Sequence, residues 1–325
     1  MLSELSLRAR ALSAALEPVI GSAHFAPEVH AALAELGFAP SPGIMADEWN
    51  LAYYGPCAMP DYMAYICARS ATLGTAPGEV VAAAFGVFQT DLIVSMITSG
   101  QGIATAEQLR LARQTGAAAQ LARILGERPD RVDQAINLLE TAGRNLPVGG
   151  RPLFAGALAV AVPADPLGAV WRLGERVREF RGDSFTIAWA AAGFDGCQIQ
   201  LLTEMIAGYP GRIYTSGRGW NDTEMNAAEV RLTERGYLLD GSVTDAGRAA
   251  REAVELCTDL QSETMFAQLG EDAIELIAIL REWGGKIIAA NGHAPGMPQT
   301  QIMDRQVQEW MDAHELETFG AGPAL

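Results

Sequence analysis

The order of apolar and polar positions reads as helix over most of the chain. Pro27-Glu28 opens a short helix that Gly37 closes, with proline in the first turn and glycine after the last. After Pro77 the run VVAAAFGVF carries almost no polar side chain, the mark of a buried segment. Thr105, with Gln108 three residues on, forms a capping box before LRLARQTGAAAQLARIL. Val132, Ile136 and Leu139 recur at helical spacing, and Asp165-Pro166 begins a further helix containing Trp171, Val177 and Phe180. Residues 39–63 break the pattern. There Pro40, Pro42, Pro56 and Pro60 interrupt Met45, Trp49, Tyr53, Tyr54, Met59, Tyr62 and Met63, which predicts an aromatic loop with room for one helical turn.

The segment 196–262 is the most legible. GCQIQLLTEMIAG is a helix ending at Gly208, and YPGRIYTSGRG is a turn-rich connector. Asn221 caps a second helix, Glu224 completes its capping box, and the helix runs to Gly236. Asp240-Gly241 then sits between two short apolar stretches, a strong hairpin signal, and DAGRAAREAVELCTDL returns to helix. Helix, turn, helix, hairpin, helix is the order of a winged helix-turn-helix. The tail, with Trp283, Trp310 and Met311, predicts one or two more helices and a frayed end.

Length and charge constrain what such a chain can do. At 325 residues, two or more packed units are expected, and 49% hydrophobic content supplies a sizeable core. Lys and Arg number 23 against 39 Asp and Glu, a net charge of −16, and Lys286 is the single lysine. Such a chain repels phosphate backbones unless a local basic patch offsets it. The window 196–262 offers none: it holds six arginines, no lysine and ten carboxylates, and its second helix starts with Asp222, Glu224 and Glu229. Arg248 and Arg251 are spaced to pair with Glu252 or Glu255. Nucleic acid is therefore not the partner expected. Cys57, Cys67, Cys197 and Cys257 form no CxxC and read as buried free thiols of a reducing cytosol. No membrane span, signal peptide, phosphate-binding glycine loop, metal site or cofactor motif is recognised, so a cytoplasmic protein without cofactor or metal is expected. Gly182-Asp183-Ser184 resembles an esterase serine block but falls inside a helical region.

LTERGYLLDGSVTDAGRAA at 232–250 resembles the recognition-helix end, wing and following helix of MarR-type winged-helix proteins. More of the chain resembles an actinobacterial helix-turn-helix family. The ordered matches are LEPV (16–19), HFAPE (24–28), ARSATLGTAPGEVVAAAF (68–85), GRPLFA (150–155), REFRGDSF (178–185), AAAGFDG (190–196) and RGWND (218–222). Members of that family are usually described as regulators, so the resemblance implies a winged helix embedded in a larger helical protein. Relatives tend to carry histidines where this chain has Phe180 and Phe185, and often one near Gln89. A histidine-dependent role does not carry over, because phenylalanine neither transfers a proton nor binds a metal.

Five groups of side chains are candidates for chemistry. Arg69 lies in an apolar context that demands a partner, with Glu28 and Asp183 the carboxylates to test; it is either an ion pair or an anion anchor in a ligand cavity. Arg178, Glu179, Arg181 and Asp183 are either a solvated charge face or the wall of a pocket in which a carboxyl works as acid or base. Trp49, Tyr53, Tyr54, Asp61 and Tyr62 suit a ring-bearing ligand or a dimer contact. His24 and His30 are either structural, or His24 forms an acid–base pair with Glu28. Phe180 and Phe185 complete the candidate ligand wall.

These readings predict a mainly α-helical protein, a helical bundle with an embedded winged helix-turn-helix. The units would be a helical region over 1–130, a second over 131–195, the winged helix over 196–262 and C-terminal helices over 263–325. The expected function is binding of a small hydrophobic or aromatic molecule by a homodimer with the winged helix as scaffold. A cofactor-independent enzyme of specialised metabolism is within that reading, with Asp183, Glu28, His24 or Asp61 moving protons. The competing function is a ligand-responsive MarR-like transcriptional regulator.

Overall fold

The computed structural model describes residues 1–209, 212–294, 296 and 304–316; of 48, 49 and 52 only the backbone is described. The fold is mainly helical. Helices α1 (Glu4–Ile20), α2 (Pro27–Glu35), α3 (Glu48–Tyr54), α4 (Tyr62–Ser70), α5 (Gly78–Phe85), α6 (Thr90–Gly100) and α7 (Ala106–Leu125) form the N-terminal third. Helices α8 (Val132–Gly143), α9 (Pro152–Leu158) and α10 (Pro166–Ala191) follow. Then come α11 (Gly196–Ala207), α12 (Ile213–Ser216) and α13 (Asp222–Glu234), a hairpin, α14 (Asp245–Leu260), α15 (Glu263–Leu269), α16 (Asp272–Ala289) and α17 (Arg305–Ala313).

The start signals act as the sequence predicts. Thr105 and Asn221 each close a reciprocal capping box, and Asp195 closes a third. The aromatic stretch is more ordered than a loop: β1 (Gly43–Ile44) pairs antiparallel with β2 (Ala58–Met59), and α3 lies between them. The wing is β3 (Leu238–Leu239) paired with β4 (Ser242–Val243) across Asp240-Gly241. Both turn residues have positive φ, 47° and 75°, which is why an Asp-Gly pair is needed there.

Helix α10 is the axis of the molecule, packing against α1, α7, α8, α9 and α14. The main core gathers α1, α7, α8, α10 and α15 to α17 around Trp171, Phe180 and Trp283. It thus draws on residues from 9 to 316, across the expected segments 1–130, 131–195 and 263–325. A second core joins α2 with α4 to α7, and a third is the interior of the winged helix. A small fourth core packs Tyr53 onto Tyr209 and Tyr214, so the aromatic segment is fastened to the connection between α11 and α12.

Three sequence expectations are corrected by this packing. Arg69 pairs with Glu179, not with Glu28 or Asp183, because Glu28 turns outward to Arg123 and Asp183 faces α9. The charges at 178–183 are not a solvated face, since α10 is enclosed and Glu179 and Asp183 are buried. Cys257 is exposed on the outer face of α14, while the other three cysteines are buried.

Where α7 meets α2, Gly116 lets the two backbones approach closely: a Cβ there would lie 2.7 Å from the Val29 Cα and backbone N. Gly116→Ala is expected to destabilise by about 1–3 kcal/mol from overpacking, although alanine is the better helix former. Gly143→Ala, where a Cβ meets nothing within 4 Å, is the control and is expected to be neutral or stabilising. Urea unfolding of the two variants checks the contrast.

Candidate functional site

A cavity of about 520 Å³ lies between the N-terminal helices, α10 and the winged helix. Leu12, Leu16 and Glu17 of α1 and Val177, Arg178 and Phe185 of α10 line one side. Tyr65 and Arg69 of α4, Phe85 of α5 and Phe88 line another. The winged helix supplies Gln200 and Thr203 from α11, Tyr214 from α12, Arg218 from the turn before α13, and Arg251 and Glu255 from α14.

The lining is rich in arginine, and nearly every guanidinium has a carboxylate. Arg178 grips both oxygens of Glu17 at 2.7 and 2.9 Å and reaches Glu179 at 3.1 Å. Glu17 and Glu179 are buried, which alone would raise their pKa values; Arg178 holds Glu17, and Arg69 followed by Arg178 holds Glu179, below the usual carboxylate range. Arg10 bonds Glu252, Asp259 and Asp304 at 2.7 to 2.9 Å. Arg181 pairs with Glu255 and with Asp259, and Arg251 with Glu255 at 2.8 Å. Burial works against the charge on Glu255, yet Arg251 and Arg181 pull its pKa down to about 2.

Two lining groups lack that company. Arg218 makes no side-chain hydrogen bond or ion pair among the described residues; its guanidinium lies over the rings of Tyr214 at 4.4 Å and Phe88 at 5.4 Å. Gln200 is 2% exposed, and its Oε1 has no partner. Arg69 is short of partners too: it touches Glu179 only at 3.4 Å, and its Nε is unsatisfied.

The structure divides the candidate residues. Arg69, Arg181, Phe185 and His24 line the cavity. Phe180 is fully buried behind it, against Phe154 and beneath Arg151. Tyr53 belongs to the small aromatic core with Tyr54 beside it, and Tyr62 stacks on Tyr65 and donates its hydroxyl to the Gly217 carbonyl at 3.1 Å. Trp49 lies on α3, and its side chain is outside the described residues. Among the acid–base candidates, Asp61 caps α4, accepting from the Ala64 N–H. Glu28 pairs with Arg123, and Asp183 accepts the Phe154 N–H at 2.9 Å, closing the otherwise uncapped start of α9. His24 packs edge-on against Tyr65; burial first, then Arg178, Arg113 and Arg69, push its pKa well below the ordinary value, so it is neutral. His30 contacts the His24 carbonyl through Nε2. The four acid–base candidates therefore do not converge on one point.

Sequence reading passed over Arg218 and Gln200. Arg218 stands in RGWND, where it counts as one of six arginines of a DNA-binding module, and nothing in its spacing says that it turns inward. The turn that carries it is held from the other side. Gln89 donates its N–H to the Arg218 carbonyl at 2.9 Å, and its side chain reaches Glu224 of the α13 capping box at 3.1 Å. The Trp220 indole donates to the Val87 carbonyl at 2.9 Å.

The geometry is that of a helical protein with a cavity partly open to solvent, one wall of which is a winged helix-turn-helix. The sequence profile of the helix-turn-helix family matches residues 9–295, and the chain belongs to this family. No curated protein and no solved structure matches it. Among the described residues no helix is long and apolar enough to cross a membrane.

Burial pushes the Asp183 carboxyl up to about 7, against the opposing hydrogen bond from Phe154. Because this pKa exceeds that of an unfolded aspartate, the native state holds the extra proton between about pH 4 and 7, and this group's contribution to stability falls as pH rises through that window. Asp183→Asn keeps an acceptor for Phe154 and removes the titration. Its melting temperature relative to wild type is expected to climb from pH 5 to pH 8, by the equivalent of roughly 2–4 kcal/mol. A difference that stays flat over that range would show that Asp183 titrates normally.

Proposed function

We propose that the protein is a ligand-responsive helix-turn-helix regulator that binds a small hydrophobic or aromatic molecule in the cavity. The observation that carries this reading is the cavity wall: α11, against which the recognition helix packs, and the turn before α13 both face the cavity. A molecule lodged there touches the supports of α13 directly, as a ligand must if it is to favour one placement of that helix over another. Enzymatic turnover has less support, since of the four acid–base candidates only His24 lines the cavity.

The acidic balance of 196–262 points away from nucleic acid, whereas family membership points towards it. The surface of α13 favours the family. Thr223, Asn226, Ala227 and Val230 form an uncharged strip on its exposed side, between exposed Asp222 at its start and Glu234 at its end, and such residues are of the types that read base edges in a major groove. Arg231 is tied to Asp195 in a pair with both side chains 45% exposed; such a pair is worth at most about 1 kcal/mol, so phosphate can replace the carboxylate. Arg248 is exposed beside the wing and has no carboxylate partner among the described residues. A DNA complex built on two arginines per winged helix would depend only weakly on salt, with a slope of log K against log salt of about −2 for each winged helix engaged and about −4 for a dimer. Gel shift with duplex DNA from upstream of the protein's own coding sequence, in a salt series, tests this. Shifted complexes with a shallow slope are expected, and absence of any shift at about 20 mM salt would end the regulator reading.

The same reading pairs α14 with a second copy of the chain. Ala246, Ala249, Ala253, Leu256 and Leu260 are all exposed and follow alternating spacings of three and four, the seam of paired helices. Light scattering is expected to give a dimer for the wild type and a monomer for the Leu256→Glu, Leu260→Glu double variant.

A further inference from the structure

The cavity has one more arginine than carboxylates in its lining, and the surplus is localised. Five of the six lining arginines reach a carboxylate within 3.4 Å; Arg218 reaches none among the described residues. In a chain of net charge −16, leaving that guanidinium without a counter-ion is an electrostatic cost that an anionic guest would remove. The ring faces of Tyr214 and Phe88 cover the plane of the guanidinium, and stacking of this kind leaves the in-plane N–H groups free. A planar carboxylate matches that free edge with two parallel hydrogen bonds. A single uncompensated positive charge calls for a monoanion. Phe85 and Phe88, which Arg69 overlies at 4.7 and 6.0 Å, line the same cavity and offer apolar contact to a ring attached to it, and the buried Gln200 Oε1, without a partner, offers an acceptor at another point.

We infer that the cavity is a site for an aromatic carboxylic acid, its carboxylate held by Arg218 and its ring against Phe88. This rests on the reading that the cavity binds a small molecule and adds the chemical class and the anchor. Because Arg218 lies in the turn that leads into α13, the anchor is also the point at which the guest meets the helix-turn-helix.

Calorimetry on the full chain with cinnamate and indole-3-acetate, each compared with its neutral primary amide, tests the inference. The acids are expected to bind roughly 10- to 100-fold more tightly than the amides, the value of charge-assisted hydrogen bonds in a shielded site. Arg218→Gln should abolish that preference, and Arg218→Lys should retain only part of it. Without ligand, Arg218→Gln should unfold at the same temperature as wild type or higher, which a merely structural arginine would not do. Amides that bind wild type as tightly as acids, or a preference that survives in Arg218→Gln, would overturn the inference while leaving the cavity reading intact. If neither acids nor amides bind, both fall. Should Arg218→Gln not fold, the acid–amide contrast in wild type still decides.

Discussion

The structure depends on a ladder of buried ion pairs along α10. Arg172 and Glu175 pair within one turn, and Glu175 also takes Arg113 from α7. One turn on, Arg178 grips Glu17 of α1, and Glu179 meets Arg69 of α4. Three helices from the N-terminal third are thereby fixed to one face of α10 at defined heights. Pairs of this kind contribute little net stability compared with apolar replacements, but breaking one leaves an unpaired buried charge at about 3–5 kcal/mol. Their effect is positional. An apolar α10 could slide or rotate against α1 and α7 at small cost, whereas the ladder admits one register.

The same ladder defines the cavity. Long arginine side chains stand off their helices and hold them apart, so the junction of α1, α4, α10 and α14 does not close to aliphatic packing density. Arginine dominates because its fork can satisfy two carboxylates at once, as Arg178 and Arg10 do. A lysine would offer one point charge and would lose it more readily when buried. The near absence of lysine from the chain thus fits an interior in which cations hold helices in register. The acidic excess accumulates on the outside.

Local structure was legible wherever local chemistry decides it. The capping boxes at Thr105 and Asn221, the Asp-Gly wing and the glycine stop after α11 all stand where the sequence places them. Long-range pairing was not legible, because spacing along a helix says which charges share a face but not what that face meets. Arg69 illustrates the limit: its apolar neighbours demand a partner, yet Glu179 is 110 residues away and looks, in sequence, like part of a solvated run. The aromatic segment shows a different limit. Its prolines mark breaks correctly, but the pairing of Gly43–Ile44 with Ala58–Met59 arises from the fold around it, since two-residue strands carry no periodicity. Of the cavity, sequence reading found Arg69, Arg181, Phe185 and His24 and missed Arg218, whose inward turn is set by Gln89 and Val87 on the far side.

That last dependence connects the cavity to the helix-turn-helix. The turn 217–220 is not free to follow α13 alone: Tyr62 holds Gly217, Gln89 holds Arg218, and Val87 holds Trp220. All three holds come from the N-terminal region that also supplies Phe85 and Phe88 to the cavity. The start of α13 is therefore held from outside its own module as well as by α11 within it, through the segment that also forms a wall of the cavity. A ligand shifts an equilibrium only by the difference in its affinity for the two states. Contacts made at once to Phe88 and to Arg218 span the joint between the two regions. A change in the angle of that joint would alter both contacts together. Under the proposed function, a ligand confined to either side of that joint would distinguish no two placements of α13 and so shift none.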